Sequence, residues 1–342
     1  AFVVGALLDL SGKGGAAGRE ARDALLLEVD RLNSRPGGGD RMQLITIDTK
    51  SDPGEAEAGL RKLAGEFAAT AVLGPALSET AAAAAAAAEI ARVPLISIAS
   101  AMGFYRPPRR WVFSTAHSVA LAARRTLRHM RLKGIRRLAI LTASDKFGAM
   151  ARMSLASLSL EMGISIYLDE RYAPKEHNFL PYLKRAAARG AGGLILWDRG
   201  LAPVAMLRAR RALDLKLEVY LVPVISEGEG PKEGERAFEG VFFPISRMGA
   251  PRRIREGGPG WEEIDSFRNA FRRRFGRSPG GYAGYAADAV RIAAEALFSE
   301  GADRERVRNY IEERPAFAGL TGRYRFSPAD HSGLGEDAFL MV

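Results

Sequence analysis

Residues 70–102 read T-A-V-L-G-P-A-L-S-E-T-A-A-A-A-A-A-A-A-E-I-A-R-V-P-L-I-S-I-A-S-A-M, and this stretch decides the fold. Residues 71–73 form a short apolar run that suits a buried strand, and Gly74-Pro75 ends it. Ser78 stands where a helix N-cap belongs, with Thr80 in the first turn. The eight alanines at positions 81–88 are the strongest helix former in the chain. Val93-Pro94 stops that helix, and residues 95–98 begin a second strand that runs out at Ala99 and Ser100. A strand, a hydroxyl-bearing helix N-terminus and a second strand end thus converge on one crevice of a parallel sheet. Free N–H groups beside hydroxyls suit an anion such as a carboxylate. A plain strand-helix-strand unit also needs a cap here, so Ser78 alone serves a structural role equally well.

Outward from this stretch the alternation continues. Residues 2–10 read as a strand, 19–33 as an amphipathic helix after a glycine-rich loop (11–18), 42–47 as a strand and 55–67 as a helix. Near His117 the pattern restarts. Strands are expected at 138–141, 164–168, 193–197 and 219–222, with helices at 120–133, 146–162, 179–189 and 202–213 between them. A last strand is expected at 240–243, long helices at 262–275 and 282–298, and short closing strands at 324–326 and 338–341. Two similar doubly wound α/β lobes share the final third of the chain, which points to a bilobal cleft protein.

The bulk numbers agree. At 342 residues two domains are expected, and 47% hydrophobic with 26% charged residues is a globular composition. No apolar run approaches the roughly 20 residues of a membrane span. Because residues 2–8 already read as a strand, either the protein is cytoplasmic or a leader peptide has been cleaved or left off. Cysteine is absent, which excludes disulfides and thiolate chemistry. The basic excess, 50 Lys+Arg against 40 Asp+Glu, is spread over helical faces without interleaved aromatics, so no nucleic-acid partner is expected.

Catalytic patterns are scarce. The four histidines, His117, His129, His177 and His331, never fall at metal-ligand spacing. No G-x-S-x-G elbow is present. Gly12-x-Gly14-x-x-Ala17, with Asp48 ending the next strand, mimics a dinucleotide fingerprint, but the loop reads as too long to bring a pyrophosphate onto the helix. Asp145-Lys146 and Asp198-Arg199 follow apolar strands, where open sheets take ligands, and serve equally as local ion pairs. The chain reads as a binder, with no catalytic residue, metal or cofactor expected.

Nine short stretches carry a resemblance: L-S-G (10–12), E-V-D-R-L-N (28–33), D-x-x-S-D-P (48–53), V-L-G-P (72–75), V-P-L-I-S (93–97), S-D-K-F-G (144–148), F-R-R-R-F-G-R-S-P (271–279), Y-A-A-D-A-V (285–290) and F-A-G-L-T-G-R-Y-R-F (317–326). In this order they resemble the substrate-binding proteins of branched-chain amino-acid ABC transporters, of the type I periplasmic binding fold. The resemblance implies two Rossmann-like lobes joined by a three-strand hinge. Lobe one would be 1–118 with 248–325, lobe two 119–247 with 326–342, and the ligand cleft would lie between them. It also implies a periplasmic location, ABC permease subunits as partners, and a monomer. The family's usual cysteine pair, near Ser51 and Leu77, is missing here as a unit.

The ligand residues carry over unevenly. Family positions that grip a ligand carboxylate fall at Ser78, Thr80 and Ala99. The usual threonine falls at Ala101, where Ser100 is the nearest replacement hydroxyl. Two tyrosine positions fall at Ala17 and Phe147. The acid that pairs with an amino group is expected just past the 219–222 strand, where this chain has Pro223-Val224-Ile225. An ammonium buried there without a carboxylate would be several kcal/mol unfavourable. The expected ligand is therefore a small carboxylic acid, aromatic or aliphatic, in preference to a simple amino acid. Phe147, Trp197 and the space at Ala17 would take a ring, and Arg199 a second polar group. Alternatives are a branched-chain amino-acid binder, with Asp198 supplying the missing charge, a ligand-sensing module of the same fold, and a nicotinamide enzyme.

Overall fold

Apolar strands separated by amphipathic helices demand parallel pairing with crossovers, and the chain builds that arrangement twice. The computed structural model describes residues 1–34, 41–100, 108–173, 175–198, 202–213, 215, 217–222, 240–250 and 260–342. Two compact units emerge, Ala1–Ser118 with Ala250–Ala338, and Val119–Gly249 with Phe339–Val342.

In unit one the elements run β1 (Phe2–Leu8), α1 (Gly15–Asn33), β2 (Met42–Asp48), α2 (Pro53–Gly65), β3 (Ala71–Leu73), α3 (Ser78–Ala91), β4 (Leu95–Ser97) and β5 (Val112–Ser114). All five strands are parallel, in the order β2-β1-β3-β4-β5. Helices α2 and α3 cover one face, where Leu7, Val72 and Leu95 meet Leu60, Leu63 and the alanines of α3. Five of the eight alanines (Ala81, Ala84, Ala85, Ala87, Ala88) are buried, so the run is a thin packing surface as well as a helix former.

Unit two repeats the plan with β6 (Arg137–Ala143), β7 (Ser165–Tyr172), β8 (Gly193–Trp197), β9 (Glu218–Val222) and β10 (Val241–Phe242). Their order, β7-β6-β8-β9-β10, is the same permutation, again all parallel. Its helices are α4 (Val119–Leu132), α5 (Lys146–Glu161), α6 (Leu180–Ala188) and α7 (Ala202–Ala212). Leu194, Leu196 and Val219 face α6 and α7. Alternation along the strands turns Thr142, Ile195, Trp197 and Tyr220 to the opposite face. A short antiparallel pair, β11 (Pro244–Ser246) with β14 (Phe339–Met341), completes this unit. Unit one gains α8 (Trp261–Phe275), α9 (Gly281–Glu300), α10 (Arg304–Glu313) and the hairpin β12 (Phe317–Ala318) with β13 (Arg323–Tyr324).

Several expectations change. Helix α1 begins at Gly15 behind a 3-10 turn at Gly12–Gly14, not after Gly18. The glycines there answer to packing: a Cβ on Gly14 would fall 2.8 Å from Leu77, and one on Gly18 2.0 Å from the Asp9 carbonyl. Ser78 is the first helical residue of α3, while Leu77 occupies the cap position and makes no side-chain capping bond. Strand β5 was not expected, because V-F-S is too short to show a period. The C-terminal return to unit two falls at 338/339 rather than 325/326. Phe326 packs edge-on against Phe113, and His331 stacks on the same ring, which keeps this segment with unit one.

Two resembling stretches meet inside unit one. The buried Asp288 carboxylate accepts from Leu320 N (2.6 Å), Thr321 N (2.9 Å), Thr321 Oγ1 (2.6 Å) and the Tyr324 hydroxyl (3.0 Å). Burial raises its pKa despite Arg291 and these donors. Nearby, Thr115 Oγ1 donates to Tyr285 O at 2.9 Å, and His117 Nδ1 contacts the Tyr285 hydroxyl. Burial alone lowers the His117 pKa from 6.5 to about 4. Between those values the unfolded chain binds a proton that the folded chain refuses, so stability is full above 6.5 and falls as pH drops toward 4. The difference corresponds to about 3 kcal/mol. In denaturant titrations across this window, His117→Gln should show a shallower decline than the parent chain. An identical slope would refute the assignment.

Candidate functional site

A parallel sheet opens a crevice where consecutive crossovers leave to opposite faces, outside the carboxyl ends of the strands. The order β2-β1-β3 puts that switch point between β1 and β3, and β7-β6-β8 puts its counterpart between β6 and β8.

In unit one the crevice is floored by Asp9, a fully buried residue just past β1. Its Oδ1 accepts from Thr49 Oγ1 (2.5 Å), and its Oδ2 from the N–H groups of Ala76 (2.9 Å) and Leu77 (3.0 Å). One carboxylate therefore fixes the approach to α3. Around it the D-x-x-S-D-P and L-S-G stretches brace each other. Asp48 accepts from Leu10 N (2.9 Å), Ser11 Oγ (2.7 Å) and Lys50 N (2.8 Å). Burial would raise the Asp48 pKa, but Ser11 and these N–H groups hold it below its ordinary value. Ser51 Oγ donates to Ser11 O (2.6 Å) and accepts from Gly14 N (3.0 Å). Asp52 caps α2 through Glu55 N at 3.0 Å. Sequence reading missed Asp9, and its one signal was an acid at the end of an otherwise apolar strand.

Of the expected ligand residues, Ala17, Ser78, Thr80, Ala99 and Ser100 fall in this unit, past or beside the strand ends. Neither α1 nor α3 has a side-chain cap; the Gly15 N–H at the start of α1 is taken by the Gly12 carbonyl, while α3 follows an extended Leu77 and presents its first-turn N–H groups there. Ser78 and Ser100 are exposed, and Ala17 is half-buried in the first turn of α1. The β4 end touches the α3 approach through Ile98 N, which donates to Pro75 O at 3.2 Å. Thr80 is buried and its hydroxyl donates to Leu77 O (3.1 Å), which leaves its backbone N–H as the donor for an anion. The Ala99 N–H is directed at Ser97 Oγ, 3.2 Å away. Glu79, exposed in the same turn, is neutralised by an ion pair with Lys13.

In unit two, Asp145 caps α5 by accepting from Gly148 N at 2.7 Å, a structural role. Trp197 ends β8 and is buried, in register with Thr142 of β6. Thr142 Oγ1 is itself buried and has no hydrogen-bond partner among the described residues. Asp198 is buried just past β8, where it accepts a 2.5 Å bond from the Tyr172 hydroxyl while its N–H donates to Val222 O (2.9 Å). Burial, then the Asp198 carboxylate, push the Tyr172 pKa far up. Ala101, Arg199 and Val224 lie outside the described residues, as does the side chain of Phe147.

A family model described as "Periplasmic binding protein" matches residues 2–342. No curated protein sequence matches the chain. Among solved structures, a putative branched-chain amino acid ABC transporter protein from Rhodospirillum rubrum is similar at TM-score 0.82 and 20% identity, covering 100% of this chain and 96% of that one. A solute binding protein of an ABC transporter from Rhodopseudomonas palustris BisB5, in complex with 3,4-dihydroxy benzoic acid, is similar at TM-score 0.71 and 19% identity, covering 97% and 90%. The branched-chain amino acid transporter substrate binding protein LivJ from Streptococcus pneumoniae, in complex with isoleucine, is similar at TM-score 0.67 and 20% identity, covering 98% and 94%. With two five-stranded parallel lobes of one permutation and a family match over nearly its whole length, the chain belongs to the periplasmic binding protein family, in its type I form.

Proposed function

We propose that the chain is an extracytoplasmic solute-binding protein that captures a small organic acid by lobe closure and delivers it to an ABC transporter permease. The observation that carries this reading is the pair of helix N-termini without side-chain caps, α1 and α3, at one switch point beside the exposed hydroxyls of Ser78 and Ser100. Donors of this kind favour a carboxylate. An aromatic or aliphatic acid suits the site because Ala17 leaves room where a ring could lie and Val224 stands where an ammonium partner is expected. Arg199 would take a second polar group, and Ala101 would lie along the acid end.

Asp198 supports a second reading. A buried carboxylate at the end of β8 could meet the ammonium of a branched-chain amino acid, although it already holds the Tyr172 hydroxyl. Thermal-shift screening of benzoate-type, cinnamate-type and aliphatic acids against leucine and valine separates the two. A ligand at a hundred times its Kd adds about 2.7 kcal/mol to stability. Ser78→Ala with Ser100→Ala should weaken the best acid by about 2 kcal/mol, or roughly thirtyfold in Kd. Stabilisation by leucine or valine with none by the acids would sink the organic-acid reading.

A further inference from the structure

The opposite end of the second sheet carries a different chemistry. At the N-terminal ends of its strands, helix ends and turns bring Arg131, Lys133, Arg136, Arg137 and Arg189 to one edge. Their contacts place them side by side. Arg136 donates to Arg131 O (3.0 Å), Arg137 to Arg189 O (3.0 Å), and Ser165 N to Arg136 O (2.8 Å). The Arg137 guanidinium lies 4.3 Å from the Tyr167 ring centre. The two guanidinium bonds satisfy helix-end carbonyls, and Arg131, Arg136, Arg137 and Arg189 stay exposed to water. Acids on this edge are already matched among the described residues: Glu218 by Lys133 (2.7 Å) and Glu161 by Arg124 (2.6 Å).

Large apolar side chains stand out from the same edge. Leu132 is 75% exposed, Leu160 84% and Tyr167 41%. Leucines that protrude between arginines gain nothing from an aqueous polyanion, but they can enter the acyl boundary of a bilayer whose headgroups meet the cations. Among the described residues no helix is long and apolar enough to cross a membrane, so contact would be superficial.

We propose that this edge of unit two docks on an anionic lipid bilayer. It lies about 20 Å from the β8 end, given the seven residues of β6 and the rise of a strand, so docking leaves the candidate ligand residues of this unit uncovered.

Co-sedimentation of the purified chain with phosphatidylglycerol-containing vesicles and with pure phosphatidylcholine vesicles, at low and high salt, tests the proposal. Binding is expected to the anionic vesicles only and to fall with salt. Each basic side chain near such a surface is worth roughly fivefold in affinity, so Arg131→Glu with Arg136→Glu should weaken binding by well over tenfold. Leu132→Ser with Leu160→Ser should weaken vesicle binding while leaving retention on heparin unchanged. An equal-charge control, Arg273→Glu with Arg325→Glu on unit one, should bind vesicles like the parent. No binding to anionic vesicles would overturn the proposal. So would equal loss in the control, which would mean diffuse charge, or an unaffected leucine variant, which would mean an aqueous polyanion site.

Discussion

Replacing Gly18 by alanine is expected to destabilise unit one by about 3 kcal/mol or more, a large effect for one methyl group. The added Cβ would sit 2.0 Å from the Asp9 carbonyl oxygen and 2.4 Å from its carbon. Backbone cannot step aside as a flexible side chain does, so α1 would have to lift from the end of β1. Unit two has the same device, since a Cβ on Gly148 would sit 2.0 Å from Ala143 O. Gly148→Ala should therefore cost a similar amount in the other half. Gly65→Ala is the matched control, because that residue ends α2 with nothing within 4 Å of its Cβ position. It should be neutral or stabilising by about 0.5 kcal/mol. Chemical denaturation of the three variants decides the matter, and a Gly18→Ala midpoint equal to that of Gly65→Ala would refute the packing argument.

Asp9→Ala is expected to be comparably damaging for a different reason. It would strand the Thr49 hydroxyl and the N–H groups of Ala76 and Leu77 in a buried place. Each unsatisfied buried group costs about 1–3 kcal/mol, so a loss of about 3–5 kcal/mol is expected after partial relaxation. The α3 approach would also loosen, so the affinity for any acid found by the ligand screen should fall more than in a Ser78→Ala variant. Asp9→Asn should lie between, because an amide keeps one acceptor but turns a donor toward groups that are donors themselves. Calorimetric unfolding together with ligand titration checks both parts. An Asp9→Ala chain of parental stability would remove Asp9 from its place under the site.

The architecture was legible because its signals are periodic and repeated. The alanine run and the Val93-Pro94 stop mark one strand-helix-strand unit, and the alternation of apolar strands and helices restarts after His117. Strand-end residues such as Ser78 and Ser100 could be pointed to for the same reason, since parallel strands fix which end of the sheet is open. What escaped reading depends on contacts between residues distant in sequence. The Asp9 bonds to Ala76 and Leu77 span 67 and 68 positions, and no local pattern announces them. Gly12 and Gly14 mimicked a nucleotide loop because close approach of backbone to phosphate and of backbone to its own neighbours calls for the same residue. Only the surrounding atoms distinguish them: Lys50 O beside Gly12, and Leu77 with Asp9 beside Gly14.

The interleaving of the two units has a consequence for how the protein is made. Helix α1 packs on α9, about 260 residues later, as the Arg291 bond to Glu28 (2.7 Å) shows, and β11 waits for β14 near residue 340. Unit one lacks Asp288 and its partners, and unit two its strand β14, until residues 288–341 have left the ribosome. A nascent chain of this kind has no finished half to lock early. Closure of loops this long is slow, so the emerging polypeptide stays open to chaperones until these distant partners have appeared.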